Sequence, residues 1–191
     1  MKSKSVLRQS VYQKMLNKNF GRLGNRLFQL AYVYGQYRRG AIPDIYVQNP
    51  EYFDFYKEEL KEMLIERKPI NKVAIHVRRG DYVNNPFYVD LTNTDYYQKA
   101  MQEFPNREFL VFSDDINWCM QQDIFKGCHF SIGTEEEDLN TMANCNGHII
   151  ANSSFSWWGS YLANSEKVIA PKLWYTDNIN RTKCPKEWLK L

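Results

Sequence analysis

The chain has 191 residues, with 25 Lys and Arg against 22 Asp and Glu, a net charge of +3. So small an excess excludes binding driven by counterion release from nucleic acid, and 43% hydrophobic with 25% charged residues excludes a disordered chain. No run approaches the roughly 18 apolar residues of a membrane helix, and residues 1–19 carry no signal-peptide apolar core, so a chain without a membrane span is expected.

In chain order, GRLGNR (21–26) sets two glycines and an asparagine at a helix entry, suited to close backbone approach to a ligand. NRLFQLAYVYGQYRR then places Leu27, Leu30, Ala31 and Tyr34 at spacings of three and four, the mark of a helix with one buried face. Beyond Pro69 short β-rich runs alternate with helical ones: VAIHV (73–77), DYYQKAMQEF (95–104), EFLVFSD (108–114), INWCMQQDI (116–124) and a strand ending near Phe130. EEEDLNTMANC, GHIIAN, FSWWGSYLA and KVIAP continue the pattern. The alternation predicts the α/β class, a parallel sheet with helices on its faces, and the change of regime at Pro69 divides the chain into 1–69 and 70–191. The acidic run 135–138 reads as a helix's first turn, where carboxylates oppose the dipole. Cys119, Cys128, Cys145 and Cys184 lack metal-site or disulfide-scaffold spacing and read as free structural thiols.

In open α/β sheets ligands gather at the carboxyl ends of the strands, which selects RRGDY, SDD and NSSFS. Strand alternation puts His76 and Arg78 on one face and Ile75 and Val77 on the other. Arg78 and Arg79 beside a glycine turn suit a diphosphate, although an Arg79–Asp81 pair that fixes the loop is the plainer alternative for Arg79. Ser153, Ser154 and Ser156 stand where a strand gives way to a helix, a place for a phosphate or for an ordinary serine cap. Trp157, Trp158 and Tyr161 read as core aromatics. Ser113, Asp114 and Asp115 suit either a divalent ion or the amine and imino groups of a purine, and we favour the purine, with a helix cap as the alternative for Asp115. The RGD tripeptide follows a buried strand and is not read as an adhesion loop. The sequon at Asn152 lies at a buried strand end, closed to glycosylation, and a second stands at Asn180.

GRLGNRLFQLAYVYG, HVRRGDY, FSDD and ANSSFSWWGSYLA, in this order, resemble glycosyltransferase family 11, the α-1,2-fucosyltransferases, as does the closing VIAPKLWYTDN with CPKEWLKL. The resemblance implies a GT-B-like fold: a Rossmann-like donor domain at 70–191, with an abbreviated acceptor-side lobe at 1–69 because about 30 residues separate Arg39 from VAIHV. It implies inverting transfer of L-fucose from GDP-fucose to a galactose-ended glycan through an α-1,2 linkage, with no metal and no cofactor. Arg78 and Arg79 then resemble the arginines that neutralise the diphosphate, with His76 and Asp81 organising their loop. Asp114, or Asp115, resembles the acid that reads guanine. Ser153, Ser154 and Phe155 resemble the nucleotide wall, and Gly24 and Asn25 the turn facing the diphosphate and fucose. Arg78 and Asn25 are the catalytic candidates, and Asp54, Glu58 and Asp81 remain open as acceptor base.

The short segment 41–68 also supports a rival reading, a non-catalytic nucleotide-sugar or glycan-binding relative, and transfer of a different sugar is a third. The implied partners are GDP-fucose and a glycan. A cytoplasmic protein of bacterial or viral type is expected, at most peripheral to a membrane. Aromatics between Tyr32 and Tyr56 read as exposed and leave a homo-oligomer open.

Overall fold

Five consecutive residues, 73–77, are buried in the strand Ile70–Val77 (β1), as a strand covered on both faces requires. Val73, Ile75 and Val77 pack with Tyr97, Ala100 and Val111, while Ala74 turns to Phe112 and Met142 on the other face. The computed structural model describes residues 23–38, 50–179 and 182–191. Gly21, the segment 41–49 and the Asn180 sequon lie outside them, as does the side chain of Tyr34.

The remaining strands are β2 (Phe109–Ser113), β3 (His129–Phe130), β4 (Cys145–Ile149), β5 (Lys167–Ala170) and β6 (Leu189–Lys190). They form one six-stranded sheet in the order β3-β2-β1-β4-β5-β6, and every pairing is parallel. This is the Rossmann-like strand order, which reverses direction between β1 and β4 and opens a crevice there at the carboxyl ends. The α/β class and the Rossmann-like parallel sheet hold as expected.

The helices are α1 (Leu23–Arg38), α2 (Lys57–Leu64), α3 (Tyr96–Gln102), α4 (Ile116–Met120), α5 (Glu135–Asn144) and α6 (Ser154–Tyr161). The stretch read as one helix over 116–124 stops at Met120, and a 3-10 turn follows at Asp123–Phe125. No strand was expected at β6, whose two residues have no alternation to read and pair only with Ile169 and Ala170. A Thr134–Glu137 capping box starts α5, as its acidic first turn suggests.

One core binds α1, α2 and α6 together: Leu23, Leu27, Phe28, Phe53 and Leu60 pack with Trp157, Trp158 and Tyr161. Trp157 stacks on Tyr161 at 4.6 Å and lies 4.5 Å from Phe28, so these are core aromatics as read. Among the aromatics read as exposed, Tyr32 and Phe53 are buried and Phe55 is exposed. Asn152 is buried, its amide donating to the carbonyls of Val89 and Trp174 at 2.9 Å each, which closes that sequon. All four cysteines are free thiols. No described helix is long and apolar enough to cross a membrane.

His148, fully buried in β4, links that strand to helix α5 and to the loop before β5. Its Nε2 stands 2.8 Å from the Met142 carbonyl, which can only accept, so the proton is on Nε2 and Nδ1 accepts from the Ser165 hydroxyl at 2.7 Å. Burial pushes the pKa of His148 down to about 4, and burial does the same to His76. The unfolded chain therefore takes up these protons first, so the stability they confer is complete above about pH 6.5 and falls as the pH drops toward 4. Urea midpoints are expected to fall between pH 7 and pH 5 by the equivalent of about 2 kcal/mol per histidine. His148→Gln should flatten that slope by half, and a wild-type midpoint that stays constant over the range would contradict the assignment.

Candidate functional site

A cavity of about 670 Å³ opens at the carboxyl ends of β1, β2 and β4, over the crevice where the strand order reverses. Its walls include Gly24, Asn25, His76, Arg78, Asp81 and Asp114, together with Ser153, Ser154 and Phe155. Of the residues selected from the sequence, Arg79, Asp115, Ser156 and the candidate bases Asp54 and Glu58 are outside it.

Three helices, α1, α5 and α6, present their starts to this space, and α1 and α6 meet there. Ser153 caps α6, its hydroxyl accepting from the Phe155 N–H at 3.3 Å, and the Ser154 hydroxyl donates to Asn25 Oδ1 at 2.8 Å. Both readings of the serines therefore apply to one element: Ser153 is a cap, and the same turn lines the cavity. Gly24 meets α6 so closely that a Cβ there would fall 2.4 Å from the Phe155 nitrogen and from the Ser154 carbonyl carbon. The close approach read from GRLGNR is thus made to another helix, and it is what places Asn25 at the cavity wall. With the positive ends of both dipoles turned inward, the junction favours an anion.

Arg78 is the cavity's guanidinium. It is bound by Asp81 and, through Nη1, by Asp114 Oδ2 at 2.8 Å, and its side chain is only 10% exposed. Asp114 Oδ1 accepts from the Arg79 N–H at 2.9 Å. Gly80 makes this reach available: at φ +21° a Cβ would stand 2.3 Å from Asp114 Oδ2. Both oxygens of Asp114 are thus engaged in holding the arginine loop while the residue still lines the cavity. Asp115 caps α4, accepting from the Trp118 N–H at 3.3 Å.

Arg79 turns away from its neighbour. Its guanidinium lies 3.7 Å over the Trp118 ring, with Nε 3.3 Å from Asp115. Successive side chains diverge as the chain leaves β1, so the two cations do not face one ligand, and the partner that fixes Arg79 is Asp115 rather than Asp81. His76 lies beside Arg78 in the cavity wall with its ring 5.3 Å from Phe155. Burial holds the imidazole neutral, with a pKa of about 4, against the opposing pull of Asp114. Its Nδ1 is buried with no hydrogen-bond partner among the described residues, a polar atom left for a ligand to satisfy.

The sequence reading missed Glu135 and Asp138, which line the cavity from the first turn of α5. Burial pushes the Asp138 carboxyl up, while hydrogen bonds from the Ser131 hydroxyl, at 2.6 Å, and the Gly133 N–H hold it down. Also missed were Tyr82 and Tyr88, stacked at 3.9 Å on the far wall. Of the three candidate bases, Asp81 alone lines this cavity; Asp54 accepts from the Tyr161 hydroxyl at 2.5 Å and Glu58 pairs with Lys61 at 2.8 Å. Among the described residues no group of three His, Cys, Asp or Glu side chains converges to hold a metal ion.

The profile of glycosyl transferase family 11 matches residues 51–191. The chain belongs to this family. It is 37% identical over 174 residues to an alpha-1,2-colitosyltransferase of Escherichia coli, covering 75% of this chain and 60% of that one. An O-antigen biosynthesis glycosyltransferase of the same species, WbnK, is 32% identical over 63% of this chain and 45% of its own length. Galactoside alpha-(1,2)-fucosyltransferase 1 of Rattus norvegicus is 31% identical over 53% of this chain and 30% of its own. The chain therefore spans 60% or less of the length of these relatives. Among solved structures, KpsC of Thermosulfurimonas dismutans, a beta Kdo 2,7 transferase, superposes with a TM-score of 0.42 at 11% identity, over 95% of this chain and 54% of that one. The family 11 profile takes in every site residue named above except Gly24 and Asn25, which precede it.

Gly24→Ala is expected to force α1 from α6, costing about 1–3 kcal/mol by overpacking and lowering Tm by about 2–4 °C for each kcal/mol. Thermal denaturation followed by circular dichroism checks this; an unchanged Tm would mean that the two helices are not held by this contact.

Proposed function

We propose that the chain is an inverting, metal-independent glycosyltransferase that moves L-fucose from GDP-fucose to a hydroxyl of a galactose-ended glycan, forming an α-1,2 linkage and using no cofactor. The observation that carries the reading is Arg78, a nearly buried guanidinium at the β1 end of the crevice, facing the starts of α1 and α6. Membership of family 11 and the α-1,2 linkage named for two of the relatives support it. A cavity of about 670 Å³ lies within the usual range for small-molecule sites.

In this reading the diphosphate lies between Arg78 and the Ser153–Ser154 turn. The acceptor oxygen forms its bond to the anomeric carbon from the face opposite GDP, the bond from that carbon to the diphosphate oxygen breaks, and the acceptor's proton passes to solvent water. Charge grows on the leaving diphosphate. Donors fixed before the reaction, Arg78 and the α6 N–H groups, stabilise that growth without reorganising, each charged hydrogen bond contributing about 1.5–3 kcal/mol. Neutral His76, with its unsatisfied Nδ1, and the amide of Asn25 supply further polar contacts at the same end. In this reading Asp114 at the end of β2 accepts from the base, with Glu135 and Asp138 of α5 as further acids on the same cavity. Arg79 acts as a positioning residue through its backbone bond to Asp114.

A second reading follows from the first relative named, whose transferred sugar is colitose. Competition between donors carrying fucose and colitose separates the two. The rival non-catalytic reading would leave donor binding without transfer to any glycan.

Arg78→Ala is expected to lower transfer by at least about 100-fold, the loss of two charged hydrogen bonds, and to weaken GDP binding. Arg79→Leu should lower Tm yet leave the donor affinity within about threefold, because its guanidinium is bound outside the cavity. Chelator should leave transfer unchanged. Full activity of Arg78→Ala in a radiolabelled-fucose transfer assay would overturn the diphosphate assignment, and strict dependence on Mg²⁺ or Mn²⁺ would return the acids of this cavity to the role of metal ligands.

A further inference from the structure

A second cavity, of about 680 Å³, lies along the same edge of the sheet, beyond the ends of β5 and β6. Pro171 and Lys172, which follow β5, line it, as does Lys190 of β6. Trp174 and Thr182 belong to the walls of both cavities, so the two share a partition made of one indole and one buried threonine. At about 4.8 Å between neighbouring strands, the ends of β4 and β6 stand roughly 10 Å apart. The second cavity is therefore one short step from the place where the donor's sugar would react.

The two cavities differ in charge. Among the described residues the first presents Arg78 with four carboxylates, Asp81, Asp114, Glu135 and Asp138. The second presents five lysines, Lys57, Lys172, Lys183, Lys186 and Lys190, with Glu51, Asp54 and Glu187 as its acids. One of those acids is in use inside the wall, where Asp54 accepts from Tyr161. Another, Glu51, is 3.4 Å from Lys183. Lys57 is drawn over the Tyr161 ring at 4.7 Å, and burial and then the nearby Lys61 ammonium push its pKa down against the pull of Glu187, Glu58 and Asp54. In a chain whose net charge is only +3, this is a local concentration of cations beside an aromatic partition.

We infer that this lysine-lined cavity is an acceptor subsite for a glycan bearing an anionic group, a carboxylate or a phosphate, held about one or two sugars from the hydroxyl that receives the transferred sugar. The inference rests on the donor reading of the first cavity. Lysines on flexible stems suit an anion whose position varies between acceptors, since each acts as a point charge rather than a fixed fork. The partition of Trp174 offers apolar surface at the point where the glycan would pass between the two cavities.

The test uses the whole chain and three galactose-ended probes: lactose, the same disaccharide with glucuronate in place of glucose, and lactose 1-phosphate. Affinities are measured by NMR titration with GDP present, at 50 and 500 mM NaCl, for the wild type and for the double variant Lys186→Gln, Lys190→Gln. At low salt at least one acidic probe should bind about 3- to 10-fold more tightly than lactose, the gain of a few exposed charge pairs, and the gap should close at high salt. A gap for the glucuronate alone assigns a carboxylate, and a gap for the phosphate alone assigns a phosphate. In the double variant the gap should vanish while lactose binding and the GDP-fucose dissociation constant stay unchanged. Equal binding of all three probes, absence of binding by any, or a gap that survives in the variant would overturn the inference. A wild type that shows the gap but does not bind GDP-fucose would overturn the donor reading and leave the anion site standing.

Discussion

Gly24 has no room for a side chain because the first turn of α6 occupies that space, and the cavity exists in its present form on account of this contact. It brings the start of α1 against the start of α6, so that Asn25 bonds to Ser154 and the positive ends of two helices open on one volume. The core behind the contact holds the helices at that spacing: Phe28 packs on Trp157 and Trp158, and Phe53 stacks on Trp158 at 5.3 Å. Helix packing and ligand geometry are therefore set by the same residues. A change that loosens the aromatic core also moves the wall of the site.

The second determinant is the arginine loop after β1. Arg78 would be costly to bury alone, and Asp81 and Asp114 compensate it. Asp114 holds the loop twice, through the side chain of Arg78 and the backbone of Arg79, and it does so only because Gly80 leaves it space. The guanidinium is thereby aimed before any ligand arrives, so that little ordering remains to be done on binding. An incoming diphosphate would exchange places with carboxylate oxygens rather than with water. That exchange makes the net gain from Arg78 smaller than its charge suggests and makes its direction more specific.

Much of this was legible in the sequence, for reasons that can be traced. The alternation of side chains along a strand put His76 and Arg78 on one face, and both line the cavity. The serine turn was readable because a strand followed at once by hydroxyls and aromatics has few other uses. What was lost lay where one residue serves two purposes or where the signal is short. The acids of α5 had a sufficient explanation in the helix dipole, and nothing local reveals that the turn carrying Glu135 and Asp138 also faces a ligand. Arg78 and Arg79 look equivalent as a dipeptide, yet Trp118 and Asp115, more than 30 residues later, draw one of them away. Asp114 likewise looked free, because its partners are contributed by the turn after a different strand.

The central claim is that the β1–β4 crevice is a nucleotide-sugar site that reads GDP-fucose. Its most direct test is calorimetric titration of the purified chain with GDP-fucose, GDP-mannose and UDP-glucose in the presence of chelator. The account predicts saturable binding of GDP-fucose, weaker binding of GDP-mannose through the shared GDP, and none of UDP-glucose. Failure of all three to bind, or equal binding of UDP-glucose, would contradict it.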